Sequence, residues 1–210
     1  MPKLIDYVAR FQEIRRAVYV VTLQDGPTAV TLGSVAAEMG LSVSSLGRLL
    51  HSADELPRLG LQWAEGVMRE HLFSVPLREQ RSGDPVTCAV RALLLTLPRT
   101  ESLADAERVW RALVGAHERR AAWAHDARRD QAAAQEATCR RVVETLALPK
   151  EDQDHEVDRL RALVEGVIAG VCARTFGPET GVAVISRHLE SLLGERPLLH
   201  SVSPRSDRPA

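Results

Sequence analysis

The chain has 210 residues, of which 45% are hydrophobic and 26% charged, and its formal net charge is −1. That balance suits one mid-sized globular domain, or a small domain fused to a larger one, with enough apolar content for a core. No global field draws the whole molecule to nucleic acid or membrane.

In chain order, nearly every segment reads as helix. Residues 5–23 carry apolar side chains at Val8, Phe11, Ile14/Ala17, Val18 and Val21, a helical stripe that Asp25-Gly26-Pro27 stops. Thr31 is placed to cap a short helix through Met39, and Gly40 to end it in the left-handed conformation that glycine tolerates. Ser42 caps the next short helix. Ser52 and Glu55 have capping-box spacing and open a long helix toward Phe73. "SVPLREQRSGDPVT" reads as a loop, after which Asp84-Pro85 restarts a helix that runs to Leu97 and stops before Pro98. Residues 103–148 are expected to form two helices that break near His125-Asp126. Further helices are expected over 151–174 and, after "TFGPET", over 180–193. The Pro/Ser/Arg-rich tail from Glu195 has the composition of a disordered segment. There is no strand pattern and no internal repeat, so the fold class is all-α.

The apolar runs "VRALLLTL" and "LVEGVIAGVCA" are too short and too interrupted to span a bilayer. "MPKLIDYVARF" lacks the apolar core of a signal peptide. Cys88, Cys139 and Cys172 are odd in number and far apart, which suggests free thiols in a reducing cytoplasm. "HERRA" and "HEVDR" each lack the second His one helical turn on, so no metal site is expected. No nucleophile elbow, phosphate-cradling loop or Cys-His pair at ligand spacing occurs, so no catalytic residue and no cofactor is assigned and an enzyme is not expected.

The stretch "SVAAEMGLSVSSLGRLLHSADEL" combines a small residue for a helix crossing (Ala36 or Ala37), Gly40 in the turn, and Leu41 and Leu46 to dock a second helix. This is the pattern of a helix-turn-helix, whose second helix lays its N-terminal residues along base edges. The order of elements over residues 10–56 resembles the N-terminal domain of the TetR family of bacterial transcriptional regulators. A first amphipathic helix ends in Asp-Gly, "AVTLGSVAAEMGLSVSSL" gives a Thr-capped helix, a Gly turn and a Ser-capped recognition helix, and "HSADEL" starts the fourth helix. Residues 160–194 look like that family's last two helices, which pair with those of a second subunit.

The resemblance implies an N-terminal three-helix bundle with a helix-turn-helix (1–52), a helical ligand-binding and dimerisation domain (53–194) and a tail (195–210). It implies double-stranded operator DNA, a small-molecule effector and a second copy of the chain as partners, a cytoplasmic location and no membrane. Candidate DNA-contacting residues are Thr31, Ser34, Ser42, Val43, Ser44, Ser45, Gly47 and Arg48. Val43 is expected to face the groove, Arg48 a phosphate, and Ser42 to act mainly as a cap. The chain departs from the family at two positions. An aromatic residue and a Lys usually touch the DNA backbone where Gly47 and Ala53 stand here, and residues 1–56 hold five basic and six acidic side chains. DNA affinity below the family's norm is therefore expected.

Apolar spacing supports the dimer independently. Val157, Leu160, Val164, Val167 and Val171 form one seam, and Ala162, Gly166, Gly170 and Ala173 form a second stripe of small residues. The candidate interface comprises Leu163, Gly166, Val167, Gly170 and Val171, with Val182, Ile185, Leu189 and Leu192 from the last helix. The candidate ligand lining is Leu94, Trp110, Leu113, Val114, His117 and Trp123, with His117 as the polar group that could orient a ligand; the same Trp and Leu spacing also suits a plain core. Two functions stand: a ligand-responsive dimeric DNA-binding repressor, or a helical dimer that acts through a protein partner or as a heterodimer subunit.

Overall fold

The computed structural model describes residues 7–74, 85–146 and 148–193, and every regular element among them is helical. In chain order these are α1 (Tyr7–Asp25), a 3-10 turn (Pro27–Ala29), α2 (Leu32–Glu38), α3 (Val43–Gly47), a second 3-10 turn (Ala53–Glu55) and α4 (Leu56–Ser74). They are followed by α5 (Pro85–Leu95), α6 (Glu101–His117), α7 (Ala122–Thr145), α8 (Lys150–Cys172) and α9 (Pro178–Leu193). Of the expected loop over 74–87, Ser74 belongs to α4 and Pro85, Val86 and Thr87 to α5; residues 75–84, with the Asp84 cap, and the tail from 195 lie outside the described residues. Two compact units emerge, one within Met1–Pro76 and Thr100–Gln135, the other within Leu77–Arg99 and Glu136–Ala210.

In the first unit, α1 buries Ile14, Ala17, Val18 and Val21 on one face, as the stripe predicts. Its first member does not follow: Val8 is 74% exposed, so the buried face begins further along. Ile14 and Val18 pack with Val35, Ala36, Leu46, Leu50, Leu56 and Leu59. Each fully buried aliphatic side chain here contributes about 1.5–3 kcal/mol. Ala36 is the residue at the α2 crossing, because it is buried while Ala37 is exposed. Leu46 and Leu50 dock the second helix; Leu41 is only half-buried and lies outside that core.

Beside the same face of α1, Gly60 of α4 lies so close that a Cβ there would fall 2.5 Å from Val18 Cγ1 and 3.2 Å from Leu113 Cδ1. No other residue fits where α1, α4 and α6 pack this tightly. Leu61, Ala64, Val109, Trp110, Leu113, Val114 and Ala124 continue the unit's interior. The break between α6 and α7 falls at residues 118–121, ahead of the expected His125-Asp126, which lie within α7. No Gly or Pro marks it. The chain reverses where the N–H groups of Arg120 and Ala121 both bond the carbonyl of His117, which brings Ala124 into the interior.

The second unit is built on α8, whose seam Val157, Leu160, Val164, Val167 and Val171 is buried throughout. It packs with Ala89, Val90, Leu93 and Leu94 of α5, Cys139, Val142 and Val143 of α7, and Ile185 and Leu189 of α9. Burial pushes the Cys139 thiol up to about 11, so it stays a neutral core group. A buried carboxylate, Glu156, is held by His188 Nε2 at 2.8 Å from α9 and by Arg159 Nη1 at 3.1 Å. Arg161 to Glu136 and Arg140 to Asp154 tie α7 to α8 at the surface.

Candidate functional site

The helix-turn-helix is fixed by backbone chemistry at each end of two short helices. Thr31 Oγ1 accepts the Ser34 N–H at 3.1 Å, and Ser34 Oγ accepts the Thr31 N–H at 3.0 Å, a reciprocal capping box. Ser34 Oγ also donates to the Ala29 carbonyl at 2.6 Å. At the far end of α2, Gly40 has φ 63°, the Leu41 N–H bonds the Ala36 carbonyl at 2.8 Å, and the Gly40 N–H bonds the Ala37 carbonyl. This is a Schellman turn, and it satisfies carbonyls that would otherwise end the helix unpaired. Ser42 Oγ then accepts the Ser45 N–H at 3.2 Å and opens α3.

The expected capping box at Ser52 and Glu55 does not form. Ser52 Oγ accepts the Asp54 N–H instead, which starts a 3-10 turn, and Glu55 stands 3.6 Å from His51 Nδ1. The tighter turn brings the second amide after the cap, not the third, to the hydroxyl.

The structure gathers the candidate DNA-contacting residues on and around α3. Ser42, Val43, Ser44, Ser45, Gly47 and Arg48 are all exposed, Val43 at 51%, while Leu46 between them is fully buried. Thr31 is exposed and Ser34 half-buried at the start of α2, with both hydroxyls engaged in the cap. The Ser42 hydroxyl lies 2.8 Å from that of Ser45 and 3.1 Å from that of Ser44. A Cβ built at Gly47 meets nothing within 4 Å, so that position is open to solvent. On α1, Arg10 is paired with Glu13.

The candidate ligand residues separate into three groups. Leu94 belongs to the core of the second unit. Trp110, Leu113 and Val114 are buried in the first unit, and the chain already occupies Trp110 on two sides. Its indole bonds the Glu65 carboxylate, and Arg128 Cζ lies 5.3 Å from its ring centroid. Burial pushes the Glu65 carboxyl up, opposed first by that indole bond and then by Arg69 and Arg58. Sequence reading missed Glu65 and Arg128. A lone acid on α4 and an Arg in an Arg-rich helix carry no local signal of what they meet in the fold.

The third group is His117 and Trp123, both half-buried, with ring centroids 5.5 Å apart. His117 Nδ1 is 2.8 Å from the Leu113 carbonyl oxygen. A carbonyl can only accept, so Nδ1 carries the proton, and in the neutral ring Nε2 is left as an acceptor.

Of the candidate interface residues, Val167, Ile185 and Leu189 are buried in the second unit's own core, and Val171 is buried beside Gly181; Leu163, Val182 and Leu192 are half-buried against that core. The space beside Gly170 is filled by the ring of Phe176 from the same chain. Gly166 is open, and with Ala162, Ala169 and Ala173 it forms an exposed stripe along α8.

Among the described residues no helix is long and apolar enough to cross a membrane, and no group of His, Cys, Asp and Glu could hold a metal ion. No protein-family model and no curated protein sequence matches the chain. Solved structures do. A transcriptional regulator from Rhodococcus sp. Rha1 aligns with TM-score 0.68 and 17% identity over 87% of this chain and 95% of its own. A protein from Saccharomonospora viridis, assigned as a transcriptional regulator and solved in complex with choline, aligns with TM-score 0.65 and 19% identity, over 87% and 96%. A third, from Rhodococcus sp. and assigned to the TetR family, aligns with TM-score 0.62 and 17% identity over 89% of this chain and all of its own (100%). At such identities the likeness speaks for architecture alone: the chain has the all-α fold found in transcriptional regulators of the TetR type.

Proposed function

We propose that the chain is a dimeric DNA-binding transcriptional regulator, a repressor, whose grip on operator DNA is controlled by a small molecule. The observation that carries this reading is the capped α2–turn–α3 unit, with Leu46 buried and Val43, Ser44, Gly47 and Arg48 together on its exposed side. Nothing in a plain helical bundle needs two short helices with three hydroxyl caps and a Schellman turn between them. In this reading residues 1–52 read DNA, residues 53–194 bind effector and partner, and the protein works in the cytoplasm.

His117 and Trp123 are the proposed contacts for the effector, which places a hydrogen-bond donor of the ligand against His117 Nε2. The choline complex of the Saccharomonospora viridis protein supports a small organic effector. The stripe Ala162, Gly166, Ala169 and Ala173, with Val184 of α9 at 38% exposure, is the proposed meeting face of two copies.

One observation favours the second reading, a helical dimer that acts through a protein partner: Gly47 and Ala53 offer DNA no side-chain donor. A gel shift of the full chain on the DNA flanking its own gene, titrated with salt, separates the two. A DNA-binding regulator gives a complex whose affinity falls steeply as salt rises, by about 0.9 in log-log slope for each phosphate neutralised. The absence of any complex at low salt, from folded protein, supports the partner reading instead.

A further inference from the structure

We propose that Val43, on the bare face it shares with Gly47, reads the 5-methyl group of thymine in the major groove, so that preferred DNA carries A·T pairs beneath α3. This rests on the reading of the chain as a DNA-binding regulator and adds the base chemistry it recognises.

Direct readout of bases uses a short list of side chains. Arg or Lys takes guanine, Asn or Gln takes adenine, Asp or Glu accepts from cytosine, and apolar groups meet the thymine methyl. Residues 41–50 contain no Lys, Asn, Gln, Asp or Glu. The lone cation, Arg48, stands at the C-terminal cap of α3, and the hydroxyls of Ser42, Ser44 and Ser45 lie within hydrogen-bonding distance of one another. What the helix offers without internal commitment is the isopropyl group of Val43.

Two features of that group point outward. It is one of five large hydrophobic side chains counted as exposed among the described residues, and it sits on the helix that the fold presents. Its β-branched side chain has a restricted χ1, so little rotamer freedom is lost when it meets a partner. One turn on, a side chain at position 47 would lean back over position 43. Gly47 leaves that space empty, although a Cβ there would meet nothing within 4 Å. Packing therefore does not demand glycine at 47, the last residue of α3. An uncovered Val43, with backbone close enough to approach a base edge, gives the glycine a purpose.

The test starts from sites that the purified full chain selects from a random double-stranded DNA library. Each site is resynthesised with deoxyuridine in place of thymidine, one A·T pair at a time, which removes a methyl and leaves base pairing unchanged. Affinity should fall about fourfold at each contacted position, the loss expected for one methyl group left unburied. Val43→Ala, exposed and well tolerated in a helix, should bind the thymidine site more weakly and show no thymidine–deoxyuridine difference at those positions. Gly47→Leu should lower affinity for the selected site while leaving non-specific binding unchanged. Sites insensitive to deoxyuridine, or a Val43→Ala variant that keeps the full difference, would overturn the proposal with the DNA-binding reading intact. A folded chain that selects no DNA at low salt would remove that reading and this inference together.

Discussion

Two turns in this chain have the same backbone design and opposite origins. Between α2 and α3, Gly40 at φ 63° carries the left-handed position of a Schellman turn; after α8, Arg174 at φ 57° carries it, with the Thr175 N–H bonded to the Gly170 carbonyl at 2.9 Å. Glycine adopts this conformation without steric cost, and a Cβ at Gly40 would meet no neighbour within 4 Å, so the first turn is specified locally. The second sets an unsuited residue there and holds it by tertiary packing. Phe176 covers Gly170, and α9 comes so near α8 that a Cβ at Gly181 would lie 2.8 Å from Val167 Cγ1. The turn that presents α3 is thus written in its own residues, while the turn in the second unit depends on what lands on it.

The second turn is most vulnerable at Phe176. Phe176→Ala should destabilise the protein by about 2–3 kcal/mol in urea denaturation, less than for a fully buried ring because Phe176 is half-buried. Gly170→Ala should also destabilise the wild type, since its methyl would overlap the ring, yet become neutral or stabilising in the Phe176→Ala background. Additive effects would mean that the ring does not hold this turn. Next in size, Gly40→Ala should cost about 1–2 kcal/mol, the penalty of a left-handed L-residue, with no neighbour whose removal rescues it. Rescue by any packing mutation would contradict the local origin of the first turn. The smallest effect runs the other way: Arg174→Gly should raise stability by about 0.5–1 kcal/mol, because relief at φ 57° exceeds the added chain entropy of glycine. A loss would show that the Arg174 side chain contributes to the turn.

The same contrast explains what could be read from sequence. The Thr31 and Ser42 caps, the Gly40 turn and the buried seam of α8 were legible because each depends on residues within a turn or two of one another. The choice between Ala36 and Ala37, the exposure of Val8 and the break at 118–121 were not, because packing decides them and no Gly or Pro marks them. Ser52 and Glu55 had the spacing of a capping box, but a 3-10 turn placed a different amide at the hydroxyl. Gly170 read as room for another helix, and the occupant is Phe176, a residue of ordinary local pattern. Around Trp110, neither Glu65 nor Arg128 carried a signal, since both meet the indole only after α4, α6 and α7 assemble.

The proposed function requires that the locally specified head present α3 to DNA, with Arg48 at its exposed end against a phosphate. The most direct measurement is the salt dependence of DNA binding by the wild type and by Arg48→Ala, with circular dichroism to verify the fold. Loss of one phosphate contact per subunit should make the dimer's log-log slope shallower by about two and weaken specific and non-specific binding alike. An unchanged slope in a folded, DNA-binding variant would contradict the account.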